Sequence, residues 1–220
     1  MANILHFTEQ FDNAYWSGTS LVTANTAAAP SGFGVNAGLA DTLEDNSAVA
    51  AQFLVSTYET IPNDSSDWLA SLFVKKDAIT SRFPRLVLQM NGGSGPLSGV
   101  SLNTSTGAVV EGGETFPATT AKGTVDYDAL WWRVWWRVPN DSSSNTQARF
   151  FLAPGYTGIT GDINDPTIMG SIIIWGANLT NTSTIQPYEP EPFYTFSTGL
   201  SWMGRTDVLQ PPPVRYIPIQ

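Results

Sequence analysis

The chain has 220 residues, a formal net charge of −9 and no cysteine, so disulfides and thiolate metal sites are excluded. Its few lysines and arginines are scattered, which excludes a surface that neutralises a phosphate backbone, so no nucleic-acid partner is expected. A single histidine, His6, excludes any site built on two imidazoles, and no apolar run reaches the length of a membrane span.

Hydrophobic residues make up 42% of the chain and aromatic residues 12%, enough for a packed core. Charged residues are only 13%, about half the usual share, and Ser, Thr, Asn and Gly take their place. The start, Met1-Ala2-Asn3-Ile4-Leu5-His6, lacks a basic region followed by an apolar stretch. Synthesis in a reducing cytoplasm is therefore expected.

Short apolar runs alternate with clusters of Gly, Pro, Asn, Asp and Ser, the pattern of strands joined by turns. In chain order, strands are predicted near Leu21–Ala24, Ala40–Leu43, Ala48–Tyr58, Ser66–Lys75, Arg85–Met90, Val100–Asn103 and Ala108–Glu111. More follow near Leu130–Val138, Gln147–Ala153, Gly170–Asn178 and Ser183–Tyr188. Ala48–Tyr58 is the best helical candidate, but its β-branched and aromatic content favours a strand. Turn chemistry separates these runs at Pro62-Asn63-Asp64, Asn91-Gly92-Gly93, Pro139-Asn140-Asp141 and Pro154-Gly155. His6 is expected in a strand near the rim. Many short strands with this spacing predict an all-β fold, a two-sheet antiparallel sandwich over residues 1–190.

The segment Leu130-Trp131-Trp132-Arg133-Val134-Trp135-Trp136-Arg137-Val138 holds half of the chain's 8 tryptophans. A period of two places Leu130, Trp132, Val134, Trp136 and Val138 on an inner face. Trp131, Arg133, Trp135 and Arg137 then form an outer ladder of indoles and guanidiniums. Indole faces stack on sugar rings, and arginines bridge to hydroxyls or carboxylates, so the ladder is a candidate glycan platform. The same residues can also stack on one another beneath a loop or a neighbouring subunit. That second reading is favoured, because arginine–tryptophan alternation satisfies itself and interfaces favour both residues.

No catalytic or metal-binding constellation is expected. Glycosidic hydrolysis needs two carboxylates at a set separation. Glu111, Glu114, Asp126 and Asp128 lie in or beside turn-like segments and read as solvated acids. His6 has no Ser or Asp partner in a triad motif. Gly92-Gly93-Ser94-Gly95 lacks the Lys-Ser/Thr of a phosphate loop, and Asp162-Ile163-Asn164-Asp165 lacks the glycine and distal glutamate of a calcium loop.

After Tyr188 the composition shifts. Glu189-Pro190-Glu191-Pro192 reads as a stiff spacer. Residues 191–220 carry Phe193, Tyr194, Phe196, Trp202, Met203, Tyr216, Ile217 and Ile219 among many prolines. They are too apolar for a solvated linker and too proline-rich for a helix, so an extended assembly arm lying on another surface is predicted.

Several segments together resemble the carbohydrate-binding-module-like jelly rolls found in bacteriophage virion proteins, tail fibres among them. They are the opening Asn3 to Trp16, Ala40-Asp41-Thr42-Leu43-Glu44-Asp45, Val100 to Gly107, Trp132-Arg133-Val134, Gly170 to Leu179, and Pro187-Tyr188-Glu189-Pro190. The resemblance spans about residues 3 to 190 and implies a jelly roll in a virion or glycan setting. Two departures stand out. Residues 191–220 extend past the usual end of such domains. The penultimate strand, Trp175-Gly176-Ala177-Asn178, lacks the carboxylate with which related modules hold calcium, which leaves Asp12 as one candidate oxygen ligand and no metal or cofactor expected.

Two functional expectations result. The first is a non-enzymatic structural protein of a bacteriophage particle, a capsid decoration or tail-fibre component. Its partners would be other virion subunits, and it would form a homo-oligomer. The second is a glycan-binding module for host-surface attachment.

Overall fold

The computed structural model describes residues 3–33, 38–78, 83–95, 97–111, 120–155 and 169–188, with the backbone of 194–195 and 201–202. Among these residues every regular element is a strand. Sheet A holds β1 (Trp16–Gly18), β4 (Leu54–Ser56), β5 (Glu59–Thr60), β7 (Arg85–Asn91), β8 (Leu97–Leu102), β9 (Val109–Glu111) and β12 (Gln147–Ala153). Its order is β1-β4-β12-β7-β8-β9, with β5 also on β12. Sheet B holds β2 (Leu21–Ala28), β3 (Leu39–Asp45), β6 (Asp67–Lys75), β10 (Ala121–Asp128), β11 (Trp131–Pro139) and β13 (Gly170–Thr180). Its order is β10-β11-β6-β13-β3-β2, and all pairings are antiparallel. The two sheets pack as the antiparallel sandwich that the turn spacing predicts, and the jelly roll is what the resemblance implies.

Alternation fills the space between the sheets. Ala70, Leu72 and Val74 of β6, Val134, Trp136 and Val138 of β11, and Ile172 and Ile174 of β13 come from one side. Leu86, Leu88 and Met90 of β7, with Phe150 and Leu152 of β12, meet them from the other. The strand β6 is buried along nearly its whole length, because both of its faces are covered, and so it reads as a continuous apolar run.

A second apolar layer lies outside sheet B. Ala40, Phe73, Trp131, Trp175 and Tyr188 form it, with Phe33, Tyr127 and Ile173 packed against them. Ring centroids lie 4.8 Å apart for Phe33–Trp175 and 4.9 Å for both Phe73–Tyr127 and Trp175–Tyr188. Gly176 makes this layer possible. Its φ of +64° sits where the β13 register shifts between Trp175 and Asn178, and an added Cβ would meet the Phe73 ring at 3.0 Å.

The opening segment is not a strand. From Phe7 up to the start of β1 the chain makes successive tight turns, closed by Gln10 N–H to Phe7 C=O, Asn13 N–H to Gln10 C=O and Trp16 N–H to Asn13 C=O. The Asn3 side chain ties the segment to β13. Its amide donates to Ala177 C=O (2.9 Å), and its oxygen accepts from Leu179 N–H (2.8 Å).

Four further expectations need correction. Ala48–Tyr58 is not one strand, because Asp45 accepts from the N–H groups of Ser47 and Gln52 and folds the stretch between them into a loop. Only Leu54–Ser56 and Glu59–Thr60 pair. His6 lies in a bend, not a strand. Leu130 belongs to the turn before β11 and is 57% exposed, not inward-facing. Ser183–Tyr188 joins no ladder; Arg133 and Arg137 side chains hold its carbonyls instead. Of the residues named for the arm, Tyr194 and Trp202 pair backbones in a short ladder, β14 (Tyr194–Thr195) with β15 (Ser201–Trp202). Phe193, Phe196, Met203, Tyr216, Ile217 and Ile219 lie outside the described residues.

Candidate functional site

The β11 ladder divides along its length. Trp131 is 1% exposed and sits in the second apolar layer. Arg133 is 6% exposed. Its Nε and one terminal nitrogen donate to Ser71 Oγ, and the other donates to Gln186 C=O at 2.6 Å. The guanidinium also stacks 5.4 Å from the Phe73 ring centre. Burial pushes its pKa down to about 10, against the raising influence of Tyr188 and Tyr127. So Trp131 and Arg133 are internal to the chain, covered by its own segment 183–188. What this strip leaves for a partner is Trp135, half-buried across Gly123, and Arg137. Arg137 pairs with Asp67 (3.6 Å) and donates to Thr120 Oγ1 and Ser183 C=O.

On its inner side β11 behaves as alternation requires. Trp136 is fully buried, while Trp132 is half-buried, donates to Thr104 C=O (2.8 Å) and carries the Lys76 ammonium 4.2 Å above its ring.

The carboxylates do not converge. Glu111 pairs with Lys122 (3.3 Å) and Asp126 with Lys76. Asp128 accepts from Ser31 N–H and Oγ–H and from Leu130 N–H. Partial burial raises its pKa, but these donors together outweigh that effect and hold it below the ordinary carboxylate value. Glu114, Asp162 and Asp165 lie outside the described residues. His6 stands edge-on to Tyr15, 3.9 Å from Glu59, and Tyr15 donates to Glu59 at 2.5 Å. Burial, then the bond to Glu59 and its charge, push the Tyr15 hydroxyl far above its usual pKa, so it serves as a donor and not a base. Among the described residues no three His, Asp or Glu side chains are grouped to hold a metal ion.

The outer face of sheet A holds a cluster that the sequence reading passed over. On β12, Gln147, Arg149 and Phe151 point away from the core, because Ala148, Phe150 and Leu152 fill it. In register, Arg149 faces Gln89 of β7, and Gln147 faces Asn91. The Arg149 guanidinium lies between two rings, 4.3 Å from the centre of Tyr58 and 4.6 Å from that of Phe151. Its Nε donates to Gln89 Oε1 (2.8 Å), which also accepts from the Tyr58 hydroxyl (3.2 Å). Its two terminal nitrogens donate to nothing among the described residues. Beside them, Asn91 Nδ2 donates to Gln147 Oε1 (3.0 Å), which leaves Asn91 Oδ1 and Gln147 Nε2 without a partner among the described residues. Arg149, Tyr58, Phe151, Gln89 and Gln147 are all half-buried, and Asn91 is exposed.

Such a surface offers flat apolar rings, a planar guanidinium and two amides within one patch. These groups match the C–H faces and paired hydroxyls of a saccharide.

No family model matches the chain, and no curated protein matches it. Several solved structures align with it at low scores. The CBM22-1–GH10 modules of a Clostridium thermocellum xylanase, complexed with xylohexaose, align with a TM-score of 0.46 and 13% identity over 85% of this chain and 30% of that one. TmCBM61, in complex with beta-1,4-galactotriose, aligns at 0.42 and 12% identity over 83% of this chain and 100% of that one. The enzymatically active domain of bacteriophage CBA120 tailspike protein 4 aligns at 0.44 and 10% identity over 80% and 21%. This chain therefore spans less than a third of the xylanase and of the tailspike domain. At these scores the alignments carry no argument about this chain.

Proposed function

We propose that this chain is a non-catalytic glycan-binding module that holds saccharides on the outer face of sheet A, around Arg149. One observation carries the reading. The Arg149 guanidinium is fixed between Tyr58 and Phe151, yet both of its terminal nitrogens are left without an acceptor among the described residues. A side chain already ordered loses little further entropy on binding, and its two remaining donors suit vicinal hydroxyls or a carboxylate. Scattered pairing of Glu111, Asp126 and Asp128 supports binding without hydrolysis.

The setting proposed for the module is a bacteriophage particle, made in the host cytoplasm, where it serves host-surface attachment. The resemblance of residues 3–16 and 170–179 to virion jelly rolls supports this setting. Residues 191–220 are the proposed tether to neighbouring virion subunits, on the strength of their apolar, proline-rich composition.

An array of bacterial surface polysaccharides tests the binding function directly. The intact chain should retain a defined subset without turning it over, and Arg149→Ala should lose at least about 10-fold in affinity, equal to about 1.4 kcal/mol. Equal retention by both proteins would contradict the site. Deleting residues 191–220 tests the tether. The truncated body should fold and bind glycan but fail to join particles.

A further inference from the structure

The central strands of sheet B part at one end. The β6–β13 ladder stops at Val74 opposite Ile174. Beyond that point Lys75 pairs only with Trp131 of β11, while Ile173 and Ser171 pair only with Thr42 and Glu44 of β3. The sheet opens there into a cleft of about 360 Å³, lined by Lys75, Lys76, Asp77, Ser171, Ile172 and Ile173 among others. That volume lies at the small end of the range for ligand sites, ~300–1,000 Å³, and suits one compact molecule.

The charges in the cleft are unequally committed. Lys76 pairs with Asp126 and donates to Asp128 C=O. Asp77 accepts from Thr104 Oγ1 at 2.9 Å. Lys75 makes no hydrogen bond or ion pair among the described residues, and neither does the Ser171 hydroxyl. Both are half-buried at the cleft. The other described lysines, Lys76 and Lys122, are each matched to a carboxylate. A half-buried ammonium without a counter-ion is a poor use of charge unless a ligand completes it.

We propose that this cleft binds a small hydroxylated carboxylate, the chemistry of a uronic acid unit. Lys75 Nζ and Ser171 Oγ hold the carboxylate, and Ile173 meets the C–H face. The cleft lies on sheet B, apart from Arg149 on sheet A, and the proposal stands independently of the glycan site there.

The test uses the full chain, labelled with 15N, titrated with glucuronate, glucose, acetate and a short oligouronate. Glucuronate should shift the Lys75 and Ser171 amides, more weakly as salt rises. Glucose and acetate should bind at least 10-fold more weakly, and both Lys75→Gln and Ser171→Ala should weaken glucuronate while keeping the wild-type melting temperature. Tighter binding of the oligouronate would assign the ligand to an internal unit of a polymer, and of the monomer to a free acid; each supports the cleft. No shift at Lys75 or Ser171 with either acid, acetate as good as glucuronate, or full binding by Lys75→Gln would overturn the proposal.

Discussion

Arg133 and Arg149 sit on the outer faces of the two sheets, and each stacks on aromatic rings. Arg133 uses all three of its guanidinium nitrogens inside the protein, on Ser71 and Gln186, beneath its own chain. Arg149 uses one, on Gln89, and remains half-exposed. The difference is in what covers each face. Sheet B carries a second layer built by Phe33, Tyr127 and the segment ending in Tyr188, whereas the sheet A face around Arg149 keeps its polar groups within reach of solvent. Arginine beside aromatic rings is therefore a structural lock in one place and an adhesive surface in the other. The fate of its terminal nitrogens distinguishes the two.

The contrast is most easily broken at the buried end. Trp175→Ala removes a fully buried indole from the second layer and should cost roughly 3–5 kcal/mol in chemical denaturation. A loss below ~1 kcal/mol would show that the layer does not seal the sheet. Arg133→Ala should cost about 2–3 kcal/mol, because it strands the Gln186 carbonyl and the Ser71 hydroxyl and removes packing against Phe73. Arg133→Met, which keeps the stem, should cost less.

Asp128 ties Ser31, beside Phe33, to the turn before β11, and its depressed pKa gives a signature in pH. A carboxylate whose folded pKa lies below its unfolded value stabilises the fold above the unfolded value. That contribution disappears as pH falls through the folded value. Asp128→Asn should therefore lower stability by about 1 kcal/mol at pH 7, with the gap closing below about pH 4. A gap that persists undiminished at pH 2 would mean the charge is not what matters. Arg149→Ala should have the smallest effect on stability, about 0.5–1 kcal/mol from the lost cation–π contacts, while removing glycan retention. A large loss of stability in that variant would make Arg149 a lock like Arg133.

Much of the fold is legible in the sequence, because strand alternation and turn residues are local signals. β12 begins and ends where its pattern predicts, and β6, β7, β11 and β13 fall within a residue or two of expectation. The strand β10 was missed. In its segment Lys122-Gly123-Thr124-Val125-Asp126 only Gly123 and Val125 stand between the polar residues, too weak an apolar face to read locally, so its pairing with β11 defines it. The outer side of β11 is also predictable as a set of residues, and cover by a loop or a neighbouring subunit is the favoured expectation, but which segments supply that cover is not. Alternation says which side a residue points to, not what lies on that side. The cover comes from Phe33 and residues 183–188, both remote in sequence from Trp131, and from Tyr127 on the neighbouring strand. The Arg149 cluster had a faint local signal, since Gln147, Arg149 and Phe151 repeat in miniature the polar-and-aromatic alternation of β11. Its significance depends on Tyr58, a residue that sequence reasoning places at the end of a continuous strand.

The central claim is that saccharide contacts sheet A around Arg149 and leaves the sealed strip of sheet B untouched. Amide chemical shifts, followed while a bound bacterial oligosaccharide is titrated into the 15N-labelled chain, test it most directly. The account predicts the largest shifts at Tyr58, Gln89–Asn91 and Gln147–Phe151, with Trp131 and Arg133 unmoved. Shifts centred on Trp131–Arg137, with none at Arg149, would contradict it.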